Sequence, residues 1–296
     1  MIDRNLSSLS SKIEDALLKI IKKATTEAPN EVIDLINKTL SIEDSELTKS
    51  QLELILENFS YAAKNKIPIC QDTGVLNFFI ELGSNFPLIS DYKEIIKGVV
   101  RRASKIIPLR GNSVDPITNK NPENNIGEDY PPIYLKIINN KNNLKITVLP
   151  KGGGAENISR LFMLNPSDGL DNLQIQIINI IKKAGGMPCP PIILGIGIGG
   201  DATYCMNLAK KALMRPLNTR HIRNDVASIE LELLEKINQL NIGTMGLGGK
   251  ITCLDVHIEV TMRHPASYPV GLIVQCYSHR YASFEMNKKG EITNEI

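Results

Sequence analysis

The run Ile192-Ile-Leu-Gly-Ile-Gly-Ile198 contains no polar side chain, and it lies between Pro188-Cys-Pro-Pro191 and Gly199-Gly200. Seven apolar residues between such breakers are too few for a core helix and fit a buried strand. Helical patterns follow at residues 203–214 and 226–239, and residues 250–286 are rich in Val, Ile and Thr, as two or three strands would be. Ahead of the run, residues 6–61 are helical in pattern, with Ile13, Ala16, Leu17 and Ile20 at spacings of three and four. Asp44 before Glu46 opens a further turn. Residues 75–82 are expected to form a strand, 90–103 a helix, and 173–184 another helix. Two more strands, 134–139 and 144–149, flank an Asn-rich turn. Residues 110–131, crowded with Asn, Pro, Gly and Asp, are loop. The chain is therefore of mixed α/β class: a helical N-terminal region followed by a mixed α/β part, with no internal repeat.

The 34 basic residues are interspersed with 32 acidic ones for a net charge of +2, which argues against nucleic acid or a membrane surface as partner. No stretch approaches the roughly 18 apolar residues of a membrane span. The first forty residues read as an amphipathic helix and not as an export signal, so a soluble, cytoplasmic protein is expected. Five cysteines, none in a CxxC pair, fit reduced thiols better than a disulfide framework.

Three of those cysteines sit among turn residues: Cys70 in Ile67-Pro-Ile-Cys-Gln-Asp-Thr-Gly74, Cys189 in Gly185-Gly-Met-Pro-Cys-Pro-Pro191, and Cys276 in Val274-Gln-Cys-Tyr-Ser-His-Arg280. Such settings present a thiolate outward, although each thiol taken singly also fits a buried core residue. Their wide spacing favours a cluster over zinc. Cys205, inside a helical pattern, and Cys253, inside a strand pattern, read as core. Asp72, two residues from Cys70, is either a proton-transfer group or an Asx-turn residue before Gly74. Arg110 at the mouth of the polar loop suits a carboxylate or is simply solvated. Lys151-Gly-Gly-Gly-Ala-Glu-Asn157 offers main-chain N–H groups to an anion or is a flexible turn. Gly195-Ile-Gly-Ile-Gly-Gly200 satisfies a dinucleotide motif, but the region twenty residues on, Leu217-Asn-Thr-Arg-His221, is basic where an acid should hold the ribose. A last group comprises Asp255 and His257 on one face of a strand, Arg263-His264, and His279-Arg280 near Cys276.

Taken in order, Ile67–Gly74, Lys151–Asn157, Cys189-Pro-Pro191 with the GIGIGG run, and Arg263-His264-Pro-Ala-Ser with Cys276 resemble the N-terminal half of class I fumarases and the α subunit of L-tartrate dehydratase. The resemblance runs from about residue 50 to 285 and implies a single iron–sulfur hydro-lyase domain over 1–296, with a helical part at 1–60 and a cluster-binding part at 61–290. It implies an oxygen-sensitive [4Fe–4S] cluster on Cys70, Cys189 and Cys276, with one iron left open as a Lewis acid. It places Asp72 as the catalytic proton donor and Gln71, Arg110, Gly153 and His264 as substrate contacts. It also assigns GIGIGG to the wall of the cluster domain. The implied reaction is reversible hydration of fumarate to L-malate, a step of the tricarboxylic acid cycle, with L-tartrate dehydration as the alternative. A non-catalytic metal- or nucleotide-binding module is a second alternative. Because the family's remaining catalytic groups lie in a C-terminal domain, a separate β subunit is expected as partner, in a hetero-oligomer such as α2β2.

Overall fold

A computed structural model describes residues 2–88 and 91–296. Helices α1 (Ile2–Thr26), α2 (Asn30–Ile42) and α3 (Glu46–Asn65) lead into strand β1 (Val75–Gly83) and helix α4 (Tyr92–Ile106). Strands β2 (Ile133–Ile138) and β3 (Asn143–Lys151), the single turn α5 (Gly153–Glu156) and strand β4 (Arg160–Leu164) come next. Helix α6 (Gly169–Ala184), strand β5 (Ile192–Gly200) and helices α7 (Ala202–Ala212) and α8 (Asn224–Asn238) follow. Strands β6 (Cys253–Arg263), β7 (Tyr268–Gln275), β8 (Ala282–Asn287) and β9 (Ile292–Glu295) complete the order. The mixed α/β expectation holds. The long helical pattern is broken into three helices, the first break falling before Pro29, which caps α2. The expected start of α4 at Ser90 lies outside the described residues. Its observed start is set by Asp91, whose carboxylate accepts the Glu94 N–H at 3.0 Å. Among the described residues no helix is long and apolar enough to cross a membrane.

The chain forms two compact units. The first comprises Met1–Ala28, Phe59–Lys151 and Arg280–Ile296. Its five-stranded sheet has the order β2-β1-β3-β8-β9. Ile13, Leu17, Ile20 and Ile21 of α1 and Ile96, Val99 and Val100 of α4 pack with Phe78, Ile80, Ile146, Val148 and Phe284 of the sheet. Strands β2 and β3 are joined by a short turn yet do not pair. β1 lies between them, parallel to β2 and antiparallel to β3. Burial explains the choice: Leu76 to Ile80 of β1 are all buried, whereas Leu135, Lys136 and Ile137 of β2 are exposed, as suits an edge.

The second unit comprises Pro29–Asn58 and Gly152–His279. Its sheet has the order β4-β7-β5-β6, with β5 parallel to β6 and antiparallel to β7. β5 is buried from Ile192 to Gly199. Leu173, Ile177 and Ile181 of α6 and Val226, Leu233 and Ile237 of α8 share one apolar cluster with Leu194, Ile196 and Val256. Helix α7 also packs on β5, and it does so over glycines. A Cβ on Gly195 would stand 2.1 Å from the Ala209 carbonyl oxygen, and one on Gly197 would stand 2.1 Å from that of Cys205. Three side chains tie the N-terminal helices of this unit to its loops. Glu31 accepts the Leu217 N–H, Glu43 accepts the Lys250 N–H, and the Thr48 hydroxyl donates to the Gly248 carbonyl.

Candidate functional site

In the first unit, residues 70–74 form a turn ahead of β1. Cys70 is half-buried and Gln71 exposed, while Thr73 is buried. Asp72 accepts the Gly74 N–H on Oδ1 at 3.0 Å, so the Asx turn is real. Gly74 itself has φ +81°, and a Cβ there would meet the Lys151 backbone at 2.8 Å. The turn is held from two sides. Arg280, buried, donates from Nη2 to the Asp72 carbonyl at 3.0 Å. Asn112 donates from Nδ2 to Thr73 Oγ1 at 2.9 Å, and the Arg110 main-chain N–H donates to the same hydroxyl at 3.2 Å. Arg110 thereby stands beside the Asp72 turn with its side chain exposed. The 110–131 segment is a loop, as expected, but an organised one. Asn112 and Asn125 carry no motif of their own; their one signal in the sequence is the density of Asn in this segment, a residue that bonds neighbouring backbone.

In the second unit, Cys189 lies on the exposed turn before β5 with φ +53°, and Cys276 directly follows β7. The Tyr277 N–H donates to the Cys189 carbonyl at 3.1 Å, which sets the two cysteine segments side by side. The Cys276 Sγ is 3.1 Å from Ser278 Oγ. The Met245 N–H donates to the Pro190 carbonyl at 2.8 Å, and Gly186 and Gly246 meet in backbone contact, so the Cys189 turn is braced. The glycine run forms the one-turn helix α5, with Gly153 and Gly154 exposed. A Cβ on Gly154 would lie 3.4 Å from the Met187 carbonyl oxygen, so this turn adjoins the Cys189 turn.

His264 is placed elsewhere. It follows β6, whose Arg263 pairs with Gly200, while Gln275, next to Cys276, pairs with Ile193. At about 3.3 Å per residue, the length of β5 puts roughly 25 Å between His264 and the two cysteines of the same unit. The ring is exposed, and its Nδ1 accepts the Ala266 N–H at 3.1 Å.

Asp255 and His257 do share a strand face, but they belong to the core. Both are fully buried, and His257 Nε2 lies 3.1 Å from Asp255 Oδ2. Asp255 also receives Arg220 Nη2 at 2.5 Å and the Asn218 N–H at 2.7 Å. Burial raises the Asp255 carboxyl pKa, but bonding to His257 and Arg220 outweighs it and leaves the group below the ordinary carboxylate range. Glu230, equally buried, pairs with Arg215 and accepts the Ile258 and His221 N–H groups. This network pins the 215–223 loop onto β6.

The glycine motif does not make a nucleotide cradle. The first N–H groups of α7 are taken by Asp201, whose carboxylate accepts those of Thr203 at 2.9 Å and Tyr204 at 2.7 Å. That carboxylate would also repel a pyrophosphate.

The donor chemistry of the five thiols separates them. Cys70, Cys189 and Cys276 lie outside the apolar core, whereas Cys205 and Cys253 are buried. Burial pushes both of the latter thiols up, away from the thiolate that a metal requires. Among the described residues no three His, Cys, Asp or Glu side chains gather to chelate a single ion. A cluster makes a different demand, one thiolate per iron, and the three accessible cysteines are of the type that meets it.

The family described as Fumarate hydratase (Fumerase) matches residues 14–285. A Methanocaldococcus jannaschii protein provisionally named L(+)-tartrate dehydratase subunit alpha is 43% identical over 274 residues, covering 92% of this chain and 96% of the relative. The L(+)-tartrate dehydratase subunit alpha of Escherichia coli K12 is 31% identical over 280 residues, 95% of this chain and 92% of the relative. Its counterpart in Escherichia coli UTI89 is 30% identical over 287 residues, 97% and 95%.

Proposed function

Because the chain belongs to the fumarate hydratase (Fumerase) family, a family of hydro-lyases, we propose that it is the α chain of an enzyme carrying a [4Fe–4S] cluster on Cys70, Cys189 and Cys276. The observation that carries this reading is the partition of the thiols, three outside the core in braced turns and two sealed inside it. When bound, the cluster supplies a Lewis-acidic iron that draws electrons from a substrate hydroxyl and carboxylate. The residues of the chain do the rest. Elimination of water from a hydroxy-dicarboxylate takes hydroxide from one carbon and a proton from the next. Asp72 provides the proton that leaves with the hydroxyl. Arg110 offers its planar fork to a substrate carboxylate, with Gln71 and the Gly153 main chain as further contacts. The second proton transfer falls to a β chain, a partner in keeping with relatives that are named alpha subunits.

Within the second unit a strand length separates His264 from Cys189, which favours a role for it away from the cluster site of its own chain. As a substrate contact it would serve a second copy of the chain, in an assembly such as α2β2. We take fumarate as the first substrate reading, on the resemblance of Lys151–Asn157 and Gly197–Gly200 to the fumarase form of these motifs. L-tartrate is the second reading, supported by the names of the relatives.

The test is anaerobic purification with the β chain, iron and sulfide analysis, and turnover on fumarate, L-malate and L-tartrate. We expect a brown protein bleached by air, with turnover on one of these substrates. Cys70→Ser, Cys189→Ser and Cys276→Ser should each lose the cluster, and Cys205→Ser and Cys253→Ser should retain it. A colourless protein, or cluster loss in either of the last two variants, would refute the ligand assignment. Turnover on L-tartrate alone would select the second substrate.

A further inference from the structure

Asp72 and Arg110 lie on different loops, and no covalent feature sets the distance between their side chains. What joins them is Thr73, whose residue is 2% exposed. Its hydroxyl accepts the Arg110 main-chain N–H at 3.2 Å and the Asn112 side-chain amide at 2.9 Å. The same amide lies 3.3 Å from the Gly74 carbonyl oxygen and 3.5 Å from Asp72 Oδ1. Behind it, Asn125 accepts the Asn112 N–H at 2.7 Å and donates to the Arg110 carbonyl and to Ser104 Oγ, each at 3.0 Å. Ser104 is on α4 and bonds the Val100 carbonyl at 2.9 Å. Hydrogen bonds thus run unbroken from a packed helix, through the Arg110 loop, to the turn that carries Asp72.

We infer that Thr73 and Asn112 are positioning residues, a polar latch that sets the spacing of the Asp72 carboxylate and the Arg110 guanidinium so that one dicarboxylate meets both. The inference rests on the roles given to Asp72 and Arg110 under the proposed function. Its physical basis is that a long exposed arginine is only as well placed as its backbone, and a displacement of about 1 Å at a reacting group costs up to about a hundredfold in rate. A hydroxyl with two donors converging on it, neither of which is then left for water, is a fixed point of that kind.

The test uses the complex of the chain with its β partner. Thr73→Val keeps the shape of the side chain and removes the acceptor; Thr73→Ser keeps the acceptor. Thr73→Val and Asn112→Ala should lower kcat/KM by about ten- to hundredfold at unchanged iron content, and Thr73→Ser should stay within about threefold of the parent. The Arg110 amide should exchange its hydrogen faster in Thr73→Val and not in Thr73→Ser. A Thr73→Val enzyme that melts lower yet keeps kcat and KM, or unchanged exchange at Arg110, overturns the latch. Asp72→Asn separates the two levels. If it retains activity, or if the complex turns over no dicarboxylate, the proposed roles fail, while the exchange experiment still decides whether the latch exists.

Discussion

Gly197 shows how much one absent atom can decide. Its Cα faces the backbone of α7 so closely that a methyl group would overlap the Cys205 carbonyl. Gly197→Ala should therefore destabilise the protein by about 1–3 kcal/mol, read from the denaturant midpoint, and an unchanged midpoint would refute the packing account. A glycine in a sequence announces that a side chain is unwelcome, but not what fills the space. GIGIGG consequently also satisfied a phosphate-loop pattern, which the basic stretch Leu217–His221 spoke against. Asp255 makes the complementary point. Alternation correctly put it on one face with His257, yet only the fold revealed that this face is core. Asp255→Asn should cost about 3 kcal/mol at neutral pH by leaving Arg220 and His257 facing a neutral amide. Because the Asp255 pKa is lowered on folding, its contribution is full above the unfolded carboxylate value of about 3.9 and is lost as pH falls through the folded value. The stability gap between parent and variant should therefore narrow as pH drops below about 4. A gap that stays constant down to pH of about 3 would contradict this.

Among the elements, most helices could be read in advance because their apolar faces recur every three or four residues and their ends carry caps. Asp201 is such a cap, and Asp201→Ala should destabilise α7 by about 1 kcal/mol, measurable as a lower melting temperature. A variant as stable as the parent would show that water replaces the carboxylate without loss. The strands were less legible. β4 and β9 escaped notice, because an arginine followed by four apolar residues, and four exposed residues, leave no alternation to find. Strand pairing was not legible at all. β2 and β3 are neighbours along the chain, but the longer β1, buried from Leu76 to Ile80, takes the place between them and leaves the shorter β2 at the edge.

At the scale of the whole molecule, the position of His264 carries the clearest consequence. If it acts on the substrate of a second copy, co-expressing an Asp72→Asn chain with a His264→Asn chain should restore activity that neither gives alone. Hybrid assemblies then contain one site with both groups intact, and no recovery would exclude the shared site. The family and the set of accessible thiols were legible in the sequence because both depend on local context: short motifs in order, and turn residues around each cysteine. The separation of His264 from Cys189, the tie of Arg110 to Thr73 and the burial of Asp255 were not. Each depends on strand register or on hydrogen bonds between segments far apart in the chain, and these are settled only when the whole core competes for burial.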